Sequence, residues 1–100
     1  MAVTCTTLEQ VRENIDRLDR QIVALLAERG SFVSQAAGFK KDSDGVKAPQ
    51  RVEQVISKVR DLAQTLDANP DVTEQVYRAM IGAFIQQELA EHAALSQPTT

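Results

Sequence analysis

From Leu8 onward the chain places an apolar residue at alternating steps of three and four: Leu8, Val11, Ile15, Leu18, Ile22, Leu25, then Phe32, Ala36 and Phe39. One slot of the series, between Leu25 and Phe32, is filled by Arg29. This spacing keeps a single stripe on one side of an α-helix, and no proline interrupts it. It predicts a helix from about residue 7 to about residue 41, roughly 50 Å long at about 1.5 Å per residue. Gly30 and Gly38 weaken such a helix without stopping it. Thr6 with Glu9 fits a capping box at its start, and Thr7 with Gln10 fits one a residue later. A small domain builds only a thin core, so a compact chain of 100 residues has nowhere to bury this stripe. The stripe needs a partner helix along its whole length, which points to an all-α fold and a helical dimer.

Two shorter helices complete the expected chain. "KDSDGVKAPQ" reads as a loop, broken by Gly45 and the Asp/Ser cluster, with Pro49 suited to the first turn of the next helix. That second helix runs from about Ala48 to Leu66, with Val52, Val55 or Ile56, Val59, Leu62 or Ala63, and Leu66 on its apolar side. "DANPD" ends it, and Asp71 is the expected cap of a third helix over about residues 72–93, with Val76 or Tyr77, Met80, Ile81, Phe84, Glu88 and Leu89 in its stripe. The expectation is one helical domain over residues 1–100, ordered over about 7–93, with "SQPTT" a disordered tail. Aliphatic residues dominate the apolar set, and three prolines and four glycines are too few for a fold of short turns.

Composition narrows the function classes. A net charge of −3 with mixed signs does not favour nucleic-acid binding. The single Cys5 has no partner for an internal disulfide and suggests a reducing compartment. "MAVTCTTLEQ" lacks a basic start and an apolar run, so it does not read as a signal peptide. No segment approaches the ~20 apolar residues of a membrane span, and the cytoplasm is the expected location.

The charged residues in apolar positions carry the functional argument. Arg29 alone could pack its stem and send its head to water, or set register in a coiled coil. Lys40 follows it by eleven residues, almost three whole turns, so both cations lie near one face, about 16 Å apart along the axis. Glu88 follows Tyr77, Ile81 and Phe84 at helical spacing, although a solvated last turn accounts for it equally well. Arg12 lies about 42 Å from Lys40 along one helix, too far to share a site within a chain, but within reach across an antiparallel helix pair. Arg51 stands in the first turn of the second helix, where a surface role is the ordinary one. Several cations in an apolar setting suit a small anion with more than one carboxylate. His92 with Glu88 and Glu91 resembles a metal site less than a solvated helix end. There is no phosphate loop and no nucleophile beside a base, so positioning and electrostatics are the expected means of any catalysis, with no cofactor and no metal.

Taken in order, "LEQVRENIDRLDRQIVALLAERGSFVSQAAGFK" followed by "PQRV" resembles the AroQ class of chorismate mutases, the all-helical type II family, over about residues 8–92. The resemblance implies three helices per chain in an intertwined homodimer, with two active sites shared between subunits. It implies that Arg12 enters the partner's site and that Arg29 binds a substrate carboxylate. Lys40 would contact the ether oxygen and a carboxylate, with Arg51 nearby and Glu88 also facing the ether oxygen, where many members have Gln. Glu88 could donate a hydrogen bond there only when protonated. The implied activity is the pericyclic rearrangement of chorismate to prephenate. Val52 stands where many mutases carry an acidic residue that meets the ring hydroxyl, Phe84 replaces a hydroxyl residue, and Ala48 aligns with an acidic loop position. These apolar replacements, with "APQRV", resemble the related isochorismate-pyruvate lyases, which form salicylate on the same fold, whereas Glu88 departs from them. The alternatives are thus such a lyase, a weakly active partner subunit, or a purely structural helical dimer.

Overall fold

A computed structural model describes residues 4–40 and 42–96, with side chains described as far as residue 94. The regular structure among these residues is helical: α1 (Leu8–Ala37), α2 (Ser43–Lys47), α3 (Pro49–Thr65) and α4 (Pro70–Ser96). No helix is long and apolar enough to cross a membrane among the described residues. Of the expected tail, Ser96 belongs to α4, and residues 97–100 lie outside the described residues. The chain divides into two compact units, Met1–Phe32 and Val33–Thr100.

The first unit is the body of α1. Its start follows the later of the two capping registers: the Gln10 amide donates to Thr7 Oγ1 at 3.1 Å, and Gln10 Oε1 accepts from the Thr6 amide at 2.9 Å. The first bond satisfies one of the amides that a helix start leaves open, and the second holds the amide just before the cap. Asn14 Nδ2 donates to the Gln10 carbonyl at 2.9 Å and reaches Cys5 Sγ at 3.5 Å, tying the residues before the helix to its second turn. The stripe forms as its spacing requires, yet Leu8, Val11, Ile15, Leu18, Ile22, Leu25 and Phe32 are all exposed.

The second unit begins with the last turns of α1. Gly38, Phe39 and Lys40 each donate an amide hydrogen bond to the carbonyl three residues back, at 3.0–3.2 Å. These tighter bonds close the helix at Ala37, short of the expected end near residue 41. The reason lies in the next few residues. Asp42 Oδ1 accepts from the Gly45 amide at 2.9 Å and caps a new helix, α2, within the stretch expected to be a loop. Val46 of α2 is only 2% exposed and anchors that short helix against α4.

Ala48 links α2 to α3 in the left-handed region, φ 35° and ψ 63°. Its amide donates to the Asp44 carbonyl at 3.0 Å, and its own carbonyl receives the Val52 amide at 3.1 Å. Pro49 then supplies a fixed φ at the first position of α3. Ile56, Val59 and Ala63 form the buried face of α3, at one-turn and two-turn spacing. Leu62, the expected alternative to Ala63, is exposed, and so is Leu66, which was expected in the stripe but stands just past the helix end at Thr65. The end of α3 is a Schellman motif: the Ala68 amide donates to the Ala63 carbonyl at 2.7 Å, and Asp67, at φ 62°, donates to the Gln64 carbonyl at 3.3 Å.

Asn69, not Asp71, caps α4. Its Oδ1 accepts from the amides of Asp71 and Val72 at 2.9 and 3.3 Å. Pro70 is the first helical residue, and its preset φ starts the helix before Asp71 is reached. Asp71 instead places its charge in the first turn and pairs with Arg60 at 3.0 Å. A short turn makes α3 and α4 antiparallel, and their ion pairs give the register. Arg60 Nη1 holds Asp71 and Glu74 near the turn, and Arg78 holds Glu53 by a two-pronged contact at 2.9 Å further along. Glu74 bridges the two arginines, at 2.8 Å from Arg60 and 2.7 Å from Arg78.

Candidate active site

Lys40 and Glu88 meet in the second unit. Lys40 stands between α1 and α2, its amide held by the Ala37 carbonyl at 3.2 Å. Glu88 lies on the core-facing side of α4, one turn after Phe84, and is 5% exposed, the one buried charged residue among those described. Lys40 Nζ donates to Glu88 Oε2 at 3.1 Å across 48 residues of sequence. The ammonium is the more open partner, with a side chain 26% exposed against 6% for the carboxylate. A carboxylate this far from water needs such a cation, because an ion buried alone is strongly disfavoured.

Two of the other predicted residues lie on α3. Arg51 and Val52 occupy its first turn, Arg51 exposed and Val52 half-buried. Phe84, half-buried, shares α4 with Glu88. Gly45 of α2 lies against the stem of Lys40, where an added Cβ would sit 3.4 Å from Lys40 Cβ. Arg12 and Arg29 belong to the first unit, Arg12 exposed and Arg29 half-buried in its slot of the α1 stripe. His92 is half-buried one turn beyond Glu88. No group of three or more His, Cys, Asp or Glu that could hold a metal ion occurs among the described residues.

Two features escaped the sequence reading. One is Asp42 with Val46, which together build α2 beside Lys40. The Asp-x-x-Gly spacing of Asp42 and Gly45 was a visible capping signal. The other is the network of Glu53, Arg60, Asp71, Glu74 and Arg78 that fixes α3 on α4. Only its Glu74–Arg78 member has a local signature, four residues apart on one helix.

An all-helical chain with a lysine paired to a buried glutamate and arginines in apolar or helix-end positions defines a class, and comparison with known proteins gives it a family. The chain belongs to the type II chorismate mutase family, which it matches over residues 11–89. That span contains Arg12, Arg29, Lys40, Arg51, Val52, Phe84 and Glu88. It is similar to an isochorismate pyruvate lyase of Pseudomonas aeruginosa, 29% identical over 85 residues, which cover 85% of this chain and 84% of the relative. It is also similar to a chorismate mutase of Methanocaldococcus jannaschii, 24% identical over 75 residues, 74% of this chain and 76% of the relative.

Proposed function

We propose that this protein is a chorismate mutase acting as a homodimer in the cytoplasm, with two sites each built from both chains. The observation that supports it best is the ion pair of Lys40 with the buried Glu88 inside a chain of this family. In the proposed site Arg29 and the partner subunit's Arg12 bind the two substrate carboxylates, and Arg51 adds positive charge at the entrance. Lys40 and Glu88 face the ether oxygen, and Val52 and Phe84 line the ring.

The chemistry asks little else. In the rearrangement the ether C–O bond breaks as a new C–C bond forms, in one pericyclic step with no proton transferred. The protein holds the compact diaxial conformer, which removes most of the orientational cost. It also stabilises the negative charge that grows on the ether oxygen in the transition state. Lys40 does this as a cation, and Glu88 does it as a donor when it carries a proton.

A second reading, isochorismate-pyruvate lyase, is favoured by the name of the Pseudomonas aeruginosa relative and by the apolar Val52 and Phe84. There the ether bond also breaks in a pericyclic step, releasing pyruvate and leaving salicylate. Assaying purified protein with chorismate and isochorismate side by side separates the readings. A larger kcat/KM for chorismate supports the mutase, a larger value for isochorismate the lyase, and no turnover of either leaves a non-catalytic partner subunit.

A further inference from the structure

The start of α3 carries two of the proposed site residues, Arg51 and Val52, yet little holds it in place. The buried side chains of α3 begin only at Ile56, about two turns in. Before it, Val52 and Val55 are half-buried and the rest are exposed. Half-buried apolar contact is non-directional, so alone it leaves the rotation of a helix end loosely set.

The directed contact comes from Glu53. Among the described residues it is the one side chain from Pro49 to Val55 that makes a hydrogen bond or ion pair. Its two carboxylate oxygens accept from Nη1 and Nη2 of Arg78 on α4, each at 2.9 Å. Arg78 is itself fixed, because its Nε donates to Glu74 Oε2 at 2.7 Å and Glu74 Oε1 accepts from Arg60 at 2.8 Å. A two-pronged guanidinium–carboxylate contact sets direction as well as distance. Both partners are exposed, and an exposed pair adds little stability. Its contribution is orientation. We propose that Arg78 is a positioning residue for substrate binding: acting through Glu53, it holds the start of α3, and with it Arg51 and Val52, at a fixed rotation and height on α4. This rests on the reading of Arg51 and Val52 as site residues.

The experiment is steady-state kinetics of the full chain with chorismate and isochorismate, beside urea unfolding of each variant. Arg78→Met and Glu53→Ala should each raise KM about fivefold or more, since misplaced contacts weaken binding, and leave kcat within about twofold. The double variant should be no worse than either single one, because both break one contact. The two changes remove charges of opposite sign, so a long-range effect on an anionic substrate would move KM in opposite directions. Arg60→Met is the control. It breaks the pairs with Asp71 and Glu74 near the turn, so it should lower the urea midpoint at least as much and leave KM unchanged. Opposite shifts in Arg78→Met and Glu53→Ala, or an equal rise in Arg60→Met, would overturn the inference. Wild-type KM in both clamp variants would overturn it too, and if Arg51→Gln raised KM in the same assay the site reading would stand. A folded wild type that turns over neither substrate would overturn the site reading and the inference with it.

Discussion

Arg29, Lys40 and Glu88 stand out because their neighbours in the same stripes are apolar, so their candidacy was legible before any fold was known. What each meets was not. Lys40 and Glu88 lie 48 residues apart, and their contact depends on α1 closing at Ala37 and on α4 presenting Glu88 inward. That contact also sets a stability prediction. Lys40→Met removes the cation and leaves the buried carboxylate alone. Breaking a buried pair costs about 3–5 kcal/mol, and the partial exposure of Lys40 reduces this to about 2 kcal/mol at neutral pH. The deficit should shrink in the Lys40→Met/Glu88→Gln double variant. Urea unfolding at fixed protein concentration reads this, and a deficit that the second change leaves intact would show the pair to be incidental. Val52 makes a prediction of another kind. If it lines the ring, Val52→Glu returns a charged acceptor for the ring hydroxyl, a bond worth about 1.5–3 kcal/mol. The ratio of kcat/KM for chorismate over isochorismate should then rise about tenfold or more, and a folded variant with an unmoved ratio argues against that contact.

Among the elements, the long helices were legible because period and proline placement are local, whereas α2 was not. Its five residues carry little helical signal, and the burial of Val46 against α4 stabilises it only after α4 is in place. The cap of α4 was legible in principle, since Asn-Pro-Asp places a capping residue directly before a proline at the first helical position. Two backbone sites offer tests. Ala48 and Asp67 both hold positive φ, where a side chain is disfavoured by roughly 1–2 kcal/mol, less so for Asp. Ala48→Gly should therefore stabilise the chain by up to about 1 kcal/mol after the extra freedom glycine brings to the unfolded state, and Asp67→Gly by less. Thermal unfolding would reveal a lower midpoint if either conformation were wrong. The ion-pair network gives a pH dependence. Arg78 hydrogen-bonds Glu53 and holds its carboxyl below the ordinary 4.5, and Glu74 is lowered by Arg78 first and by Arg60 as well. Groups lowered on folding contribute stability that is fully present above the ordinary carboxylate range and is lost as pH falls through their folded values. The stability of α3 on α4 should therefore decline below about pH 4.5. Arg78→Met should lower stability slightly at pH 7 and flatten that acid limb, measured as urea midpoints between about pH 6 and pH 2.

At the scale of the whole molecule the governing observation is the exposed stripe of α1. Nine large apolar side chains, Leu8, Val11, Ile15, Leu18, Ile22, Val23, Leu25, Leu26 and Phe32, are 36–63% exposed. Burying what remains of each contributes about 1 kcal/mol. Two chains together would gain on the order of 15–20 kcal/mol, against an association cost of about 4–15 kcal/mol. A homodimer through α1 is therefore the proposed working form, and it makes a prediction that no monomer shares. In the proposed dimer each site takes Lys40 from one chain and Arg12 from the other. Arg12→Ala and Lys40→Ala should each be nearly inactive alone. Unfolded together in equal amounts and refolded, they form heterodimers in which one site carries both lesions and the other carries neither. Random pairing makes half of the dimers mixed, with one intact site in two, so the mixture should recover about one quarter of wild-type activity. The recovery should follow the fraction of heterodimer as the ratio of the two variants is changed, and mixing without unfolding should recover nothing at first. Refolded mixtures that contain heterodimer by mass spectrometry yet stay as inactive as their parents would place each site within a single chain.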